Sequence, residues 1–389
     1  MDTSSPSYDI DFYSRELIED PYPHYRAIRD LGPVVHLPRH DLFAIGRFED
    51  VRHALRADEV LISGRGVSAN TFMNTATQVT TLVSDGERHR KFKRLAMKPI
   101  TAGEMKLLRG RIQSVAEELI DRLVTKGRFE GMRDMAQFLP VTVVSHLVGL
   151  PEAGRENMLK WASAIFDALG SFNKRAQVAM PWVRESFAYA QSLGRADVVP
   201  DGWAARLFDA ADEGIIKEEM ICGLLQDYVG PSLDTTIFAT GHLLYRLGNN
   251  PEQWQQIRED PSLIPGAVHE VLRIESPIRS FTRYVNEDFE VGGTVMPKGS
   301  RAVIIYASAN HDERKFPNPE RFDIHRKNAD HVGFGYGVHR CMGVHLARLE
   351  LRTLLEVMVE RVKTIEVGEP TIAINNILRG FSELPVEFR

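Results

Sequence analysis

The stretch FGYGVHRCMG, residues 334–343, gathers groups that could do chemistry. It holds three glycines, one of the two cysteines of the chain, Cys341, and His339 two positions before that cysteine. The apolar spacing that follows predicts a long helix from Cys341 onward. A thiolate at a helix start gains from free N–H groups and the helix dipole. Because glycines also leave the backbone open to a bulky group, the stretch suits a thiolate that binds a metal or a planar cofactor.

The residue types alone leave four interpretations of this loop open. Cys341 could be a buried free cysteine in an ordinary turn. Zinc could bind His339, Cys341 and His345, although the chain has no CxxC pair of the kind that zinc sites commonly use. A nucleophilic cysteine would need a base, and sequence alone identifies none. A thiolate ligand to haem iron is the fourth interpretation.

The composition is that of a globular protein. The chain has 389 residues, of which 43% are hydrophobic and 26% charged, and its net charge of −5 supplies no basic field for nucleic acid. Two cysteines, Cys222 and Cys341, give no disulfide framework and favour a reducing compartment. The polar N-terminus resembles neither a secretion signal nor a membrane span. We therefore expect an unanchored cytoplasmic protein.

The periodicity predicts a mainly α protein with small β-sheets. No repeat, low-complexity tract or linker divides the chain, so we expect a single large domain over residues 1–389. One long helix is predicted from about residue 217 to residue 247, interrupted by Gly230 and Pro231. Strand-like pieces lie at residues 33–47, 288–310 and 364–388.

The cysteine loop resembles the haem-binding signature of the cytochrome P-450 haem-thiolate monooxygenases, Phe-x-x-Gly-x-His/Arg-x-Cys-x-Gly. Every fixed position of that signature is filled, by Phe334, Gly337, His339, Cys341 and Gly343. Three further stretches resemble family motifs in the family's order: LDTT at 233–236, EVLR at 270–273 and FPNPERFDIHR at 316–326. The resemblance runs through essentially the whole chain and implies the cytochrome P-450 fold of the soluble bacterial branch.

The resemblance implies that Cys341 is the axial ligand of haem iron, with Phe334 and Gly343 beside the cofactor. The chain has no CxxCH, so we expect haem b held without covalent bonds. Haem propionates need cationic or hydrogen-bonding partners. The candidates by position are His89, Lys93, Arg283 and His339.

An ion cluster of Glu270, Arg273 and Arg321 would support the cysteine loop, as the family resemblance implies. Taken alone, Glu270 and Arg273 could equally be a surface pair one helical turn apart. With the arginine of the 316–326 stretch, a buried structural network is the better interpretation.

The family's acid–alcohol pair would be Asp234 and Thr235. The resemblance implies that Thr235 places its hydroxyl beside the oxygen site and that Asp234 gates the delivery of protons. The chain reads GPSLDTT here, where Pro231 and Ser232 depart from the family pattern. We expect Pro231 to kink the helix.

The resemblance also implies O2 as co-substrate, with electrons from NAD(P)H through a reductase and a [2Fe-2S] or similar ferredoxin. An acidic ferredoxin would be steered by basic residues around the cysteine loop. These are Lys91, Lys93, Arg94, Arg340 and Arg348. No nucleic-acid or membrane partner is expected.

Within the family, the chain most resembles the soluble members that oxidise para-substituted benzoates and aromatic ethers. The likeness rests on SPIRSFTR, SANHD and LRGFSELPV. The resemblance implies an apolar pocket above the haem. Its lining by position would be Phe166, Leu169, Val229, Leu233, Ile278 and Phe281.

Those members hold a carboxylate with an arginine in the loop before the His89 helix and a serine on the long helix. Here no arginine lies between Ser68 and Ser84, and Asp227 stands at the serine position. An unpaired buried carboxylate would repel a benzoate. We therefore expect a neutral or weakly polar aromatic substrate, of the alkoxy- or alkyl-phenol type, that is hydroxylated or O-demethylated.

Three alternatives stay open beside this interpretation. One is a monooxygenase that acts on terpenoid-type substrates. A second is a peroxide-driven oxygenase of the same fold, which typically lacks the pair formed here by Asp234 and Thr235. A third is a haem sensor without catalytic activity.

Overall fold

The fold is built mainly from α-helices. The computed structural model describes residues 5–389, in which sixteen α-helices and twelve β-strands follow one another. The helices are α1 Arg15–Glu19, α2 Tyr22–Leu31, α3 Phe48–Arg56, α4 Thr71–Ala76, α5 Gly86–Met97, α6 Ala102–Lys126, α7 Phe138–Val148, α8 Glu152–Ala168, α9 Lys174–Ser192, α10 Trp203–Asp212, α11 Ile221–Val229, α12 Asp234–Gly248, α13 Pro251–Glu259, α14 Ile264–Glu275, α15 Tyr306–Ala309 and α16 Val344–Arg361.

The strands form small sheets at the edge of the helical body. They are β1 Val35–Leu37, β2 Leu42–Ile45, β3 Leu61–Ile62, β4 Arg128–Glu130, β5 Phe281–Val285, β6 Phe289–Val291, β7 Thr294–Met296, β8 Arg301–Ile304, β9 Ile365–Val367, β10 Thr371–Ile372, β11 Phe381–Glu383 and β12 Pro385–Phe388. The largest sheet has the order β1-β2-β8-β5-β3, in which only β2 and β8 run parallel. The other sheets are β4-β12-β9, β6-β7 and β10-β11.

Helix α6 illustrates how the sequence defines an element of the core. The Thr101 side chain accepts the N–H of Glu104 and caps the helix start, and Gly127, with a φ of 71°, ends the helix. Apolar residues at three- and four-residue spacing form one buried face, which packs against α16. They are Ile112, Ala116, Leu119, Ile120 and Leu123.

The long helix predicted over residues 217–247 is two helices, α11 and α12. Residues 230–233 between them are not helical. Pro231 has no N–H to donate to the carbonyl four residues earlier, and α11 ends at Val229. The Thr235 hydroxyl donates to the Pro231 carbonyl at 3.0 Å at the start of α12. The predicted kink is therefore a break.

The observed elements confirm the predicted mainly α protein with small β-sheets. Among residues 5–389, no helix combines the length and the apolar character required to cross a bilayer. The single domain over residues 1–389 stays a prediction, and its residues 1–4 lie outside the described part of the chain.

Glu270 and Arg273 on α14 form a buried ion pair that reaches the segments leading to the cysteine loop. Arg273 donates from Nε and Nη2 to the two carboxylate oxygens of Glu270, both at 2.8 Å. Both residues are 0% exposed. The same guanidinium donates to the carbonyls of Asn310 at 2.6 Å and Pro319 at 2.8 Å. The predicted surface-pair alternative is therefore wrong.

Arg326, not the predicted Arg321, completes this cluster. Arg326 Nε donates to Glu270 Oε1 at 3.1 Å. The exposed Arg321 offers only its carbonyl, which accepts from Arg326 Nη2 at 3.2 Å. Asn328 Nδ2 adds a further bond to Glu270 Oε2 at 2.6 Å. Both arginines lie in the 316–326 stretch, and only its turn decides which one reaches the carboxylate.

We expect Arg326→Ala to lower the free energy of unfolding by about 2 kcal/mol, because the buried Glu270 carboxylate loses a charged partner. Arg321→Ala is the matched control and should change it by less than about 0.5 kcal/mol. Urea titrations followed by circular dichroism measure both values. Equal losses in the two variants would contradict the assignment of Arg326.

Candidate active site

A deep cavity is shared by the cysteine loop and the helices around it. From the loop side it is lined by residues 333–335 and 339–343 and by the first half of α16. The other walls come from α5, α8, α11, α12, β5 and the segment 77–82. Chemistry at Cys341 would therefore take place in a site enclosed by several elements.

Cys341 lines this cavity just before α16. The prediction that this helix starts at Cys341 is wrong, because α16 begins at Val344. The N–H of Cys341 donates to the Phe334 carbonyl at 2.9 Å and closes the loop. The thiol is accessible from the cavity although it lies deep in the protein. Burial raises the pKa of Cys341 above its usual value, whereas the N–H of Gly343 acts in the opposite direction. A backbone donor for a thiolate is thus in place at the helix start.

The three glycines of the cysteine loop meet different structural requirements. Gly335 and Gly337 have φ values of 70° and 69°, which glycine adopts without strain. A Cβ on Gly337 would also lie 2.6 Å from the Leu55 carbonyl oxygen, because the loop presses on α3. Gly343 has an ordinary φ of −78°, and a Cβ there would lie 3.8 Å from Cys341 Sγ. Gly343 is therefore the glycine that leaves the backbone beside the thiol without a side chain.

His89 and Lys93, two of the four predicted propionate partners, line the cavity from α5. Both also bind backbone carbonyls of the cysteine loop. His89 Nε2 lies 3.1 Å from the Val338 carbonyl, and Lys93 Nζ donates to the Arg340 carbonyl at 2.9 Å. These contacts attach α5 to the loop.

Arg283 and His339, the other two predicted partners, line the cavity from β5 and from the loop. The buried Arg283 donates to the Thr282 carbonyl at 2.8 Å. His339 Nε2 lies 3.7 Å from Oδ1 of Asp85, a residue absent from the sequence-based set, which also accepts two backbone N–H groups. Burial lowers the pKa of His339 to about 4, so its imidazole is neutral at pH 7 and can offer an anion a hydrogen bond.

The zinc interpretation lacks a ligand set. His345 is exposed on α16 and is not among the residues that line the cavity. Within residues 5–389, no group of three or more His, Cys, Asp or Glu side chains is arranged to hold a metal ion. Among the described residues, Cys341 is therefore not part of a ligand set of the size that a tetrahedral zinc site needs.

Asp234 and Thr235 begin α12 directly after the break. Thr235 lines the cavity, whereas Asp234 lies behind the wall and is 4% exposed. Asp234 Oδ2 has no hydrogen-bond partner among the described residues. Burial, with a smaller contribution from the negative charge of Asp167, raises the pKa of Asp234 to about 7. A carboxyl group that titrates near neutral pH beside a hydroxyl on the cavity wall suits proton transfer.

Four of the six predicted pocket residues line the cavity: Phe166, Leu169, Ile278 and Phe281. The prediction is wrong for Val229 and Leu233, which are 2% and 1% exposed and belong to the apolar core. The family resemblance placed both in the pocket by position. Both adjoin the break at residues 230–233, which the sequence predicts only as a kink.

The sequence does not predict several polar residues that line the cavity. These residues are Thr77, Thr80, Thr81, Gln226 and Thr236. The three threonines of residues 77–81 lie in a stretch without clear apolar periodicity, where sequence gives no sign of orientation. Thr236 alone had a signal, since it follows Thr235 in the LDTT run.

Asp227 lines the cavity from α11. The prediction that its carboxylate is unpaired is wrong. Its Oδ2 accepts the N–H of Thr81 at 2.8 Å. Burial raises the pKa of Asp227 to about 6, which leaves the carboxyl group mostly ionised at pH 7.5. The cavity therefore contains an acceptor and a negative charge on this wall.

Comparison with known proteins places this site in a family. The profile of the family described as Cytochrome P450 matches residues 262–384. The chain is 32% identical over 388 residues to cytochrome p450 CYP199A2 of Rhodopseudomonas palustris, covering 98% of this chain and 94% of that protein.

The chain belongs to the cytochrome P450 family.

Two further similarities agree with that assignment. The chain is 30% identical over 359 residues to the mycinamicin IV hydroxylase/epoxidase of Micromonospora griseorubida, covering 89% of each protein. The structure of cytochrome P450 CYP109Q5 from Chondromyces apiculatus matches with a TM-score of 0.82 and 29% identity, over 98% of both chains. The predicted P450 fold and the predicted enzyme class, a cytochrome P450 monooxygenase, are confirmed.

P450 enzymes use haem iron and O2, and the cavity fits that cofactor. It combines an accessible thiol, apolar and aromatic walls, and the cationic or imidazole groups of Lys93, Arg283 and His339. Cys341 would hold the iron, and those groups would bind the propionates. The bound haem supplies the activation of O2. The chain itself would supply the thiolate, the buried carboxyl group of Asp234 and the hydroxyl of Thr235.

Asp234→Asn should stabilise the protein more at pH 8 than at pH 5. The folded state holds the Asp234 proton more tightly than the unfolded chain does. Wild type therefore loses stability as the pH rises from about 4 to about 7, and asparagine removes that loss. The gain should be larger at pH 8 by on the order of 2 kcal/mol.

Urea titrations of the haem-loaded protein at the two pH values measure this difference. Asp20→Asn, at an exposed aspartate, is the control and should give no pH-dependent gain. The same gain from Asp234→Asn at both pH values would show that Asp234 titrates normally.

Proposed function

We propose that this P450 hydroxylates or O-demethylates a small aromatic compound that carries no carboxylate. The observation that carries the proposal is that Phe166, Ile278 and Phe281 line the same cavity as Cys341 and Thr235. Aromatic and apolar walls favour an aromatic ring through burial and edge-to-face contacts. The ring would then lie in the compartment in which the chemistry takes place.

The carboxylate of Asp227 supports a substrate without an anionic group. A second carboxylate in the same apolar cavity would meet like charge and would lose its hydration. Within the part of the cavity that α8, α9, α10, α11 and residues 77–82 line, no arginine or lysine is present among the described residues to neutralise it. This favours neutral or weakly polar members of the aromatic class that the sequence resembles.

The residue roles in this proposal follow from chemistry and position. Cys341 is the axial thiolate. Thr235 places its hydroxyl on the cavity wall, and Asp234 relays protons to it from the protein interior. A pKa of about 7 lets Asp234 both accept and release a proton under working conditions. The presence of this pair favours reductase-fed turnover over a peroxide-driven reaction.

A larger, non-aromatic substrate is the second candidate function. A relative about as similar as CYP199A2 is named for a different substrate, mycinamicin IV. Overall similarity therefore supports the enzyme class more strongly than the aromatic substrate. The terpenoid-type alternative belongs to this second candidate.

Electrons would come from NAD(P)H through a ferredoxin that docks at the basic residues near the cysteine loop. Lys91, Arg94 and Arg340 are exposed there. Burial lowers the pKa of Arg348 to about 10, and the neighbouring positive charges of Arg340 and Arg352 act in the same direction. Such a field steers an acidic partner. With both cysteines free, a reducing cytoplasm is the proposed location.

Neutral aromatic ligands should shift the iron spin state of the purified holoenzyme at concentrations at least about tenfold lower than benzoates do. The reason is the charge of Asp227 in the cavity. Titrations with 4-methoxytoluene, 4-methoxyphenol, 4-methoxybenzoate and a monoterpene, followed in the Soret region, measure the four affinities. A response to the benzoate alone, or to the monoterpene alone, would contradict the proposal.

Lys91→Glu combined with Arg94→Glu should slow reduction by an acidic ferredoxin about tenfold at low salt, because it reverses the steering field. The difference should shrink at high ionic strength. Arg184→Glu, an exposed charge change on α9, is the control and should leave the rate unchanged. Stopped-flow reduction under carbon monoxide measures the rates, and an effect independent of salt would argue against docking at this face.

A further inference from the structure

Asp227 and Glu350 are the two carboxyl residues that line the cavity among the described residues. Burial raises the pKa of Glu350, on α16, to about 8, so Asp227 is the carboxyl group that carries a negative charge at pH 7. The cationic lining residues, Lys93, Arg283 and Arg340, come from α5, β5 and the cysteine loop. On the part that α8 to α11 and the segment 77–82 line, Asp227 is the one charged side chain among the described residues. A ligand in that part of the cavity meets a single, negative group.

The carboxylate of Asp227 is held in place and still incompletely bonded. The N–H of Thr81 donates to Oδ2 at 2.8 Å. The Thr81 hydroxyl and the N–H of Leu82 also lie close to this carboxylate and lower the pKa of Asp227, and the Thr81 hydroxyl has no other partner among the described residues. Oδ1 accepts no hydrogen bond within residues 5–389. A carboxylate oxygen in an apolar cavity is therefore left with unused capacity to accept.

Three of the polar neighbours of Asp227 cannot use that capacity, because they donate elsewhere. The hydroxyl of Thr77 donates to the Met73 carbonyl at 2.7 Å, and that of Thr80 donates to the Thr77 carbonyl at 2.9 Å. The Gln226 side chain exchanges hydrogen bonds with Ser186. The Thr81 hydroxyl is the one neighbouring side chain left without a partner within residues 5–389, and a carboxylate with about four acceptor positions can still accept a donor from a molecule in the cavity.

We propose that Asp227 selects aromatic substrates that carry a hydrogen-bond donor, an O–H or N–H group, which binds its free carboxylate oxygen. This rests on the aromatic substrate proposed above and makes it more specific. A donor gains a charge-assisted hydrogen bond in a site of low dielectric constant, whereas a ligand without a donor leaves the carboxylate incompletely solvated. A benzoate meets repulsion at the same place.

Four ligands of nearly equal shape separate these effects: 4-methoxybenzyl alcohol, 4-methoxybenzylamine, 4-methoxytoluene and 4-methoxybenzoate. We expect spin-state titrations of the wild-type holoenzyme at pH 7.5 to give the alcohol or the amine a dissociation constant at least about tenfold lower than that of methoxytoluene. The benzoate should bind most weakly. If the alcohol binds more tightly than the amine, Asp227 prefers a neutral donor. If the amine binds more tightly, Asp227 prefers a cationic donor. Either order supports the role of Asp227.

Asp227→Asn should weaken amine binding at least about tenfold and strengthen benzoate binding, because the amide can keep the Thr81 bond while it presents an N–H to the cavity. Asp227→Leu should remove the preference for a donor altogether. Asp167→Asn is the matched control, since Asp167 also accepts a backbone N–H at 2.8 Å but is not among the residues that line this cavity. It should leave the ligand order unchanged. The reduced carbonyl spectrum checks that each variant is folded and holds haem.

The possible failures are distinct. If methoxytoluene binds as tightly as the alcohol and the amine, and Asp227→Leu changes nothing, the role of Asp227 is excluded while an aromatic substrate stands. If no aromatic ligand shifts the spin state and a terpenoid does, the proposed substrate class fails and the inference falls with it.

Discussion

Hydrogen bonds to one buried carboxylate connect the helical core to the loop that carries Cys341. Glu270 accepts from two guanidinium groups, one side-chain amide and one backbone N–H. A buried ion pair adds little net stability because both charges lose their water. Its effect here is positional. Arg273 holds the Asn310 carbonyl, the Asn310 amide oxygen accepts the N–H of Val332, and the cysteine loop begins directly after that contact.

The same cavity separates its charges between two sides. Cationic and imidazole groups lie on the side of the cysteine loop, where a cofactor with two carboxylates can use them. The part lined by α8 to α11 is mostly apolar, with one carboxylate at Asp227. Anionic groups are therefore favoured near the loop and disfavoured near α11. Cofactor binding and substrate choice would depend on different residues, so a change at Asp227 can alter selectivity while the cofactor site stays intact.

Sequence spacing predicts the features whose geometry follows from a few neighbouring residues. It fails where the conformation of a turn decides which residue makes a contact. The Cys341 loop and the Glu270–Arg273 pair are short motifs, so their geometry follows from a few neighbouring residues. Arg321 and Arg326 share one stretch without secondary structure, and only its turn places Arg326 on the carboxylate. The polar cavity residues of the segment 77–82 lie outside clear periodicity. Their orientation depends on contacts with α11 that no pattern in the sequence encodes.

The break between α11 and α12 defines one side of the site. Val229 and Leu233 adjoin it, and both belong to the core although the family resemblance placed them in the pocket. The same interruption makes Asp234 the first residue of α12, buried and with Oδ2 unbonded within the described residues. The Thr235 hydroxyl donates to the Pro231 carbonyl just as the Thr240 hydroxyl donates to the Thr236 carbonyl inside α12, so this bond does not itself require the break. Pro231 matters for another reason. It lacks the N–H that would continue α11, and a new helix begins at Asp234, which brings acid and alcohol together at a helix start.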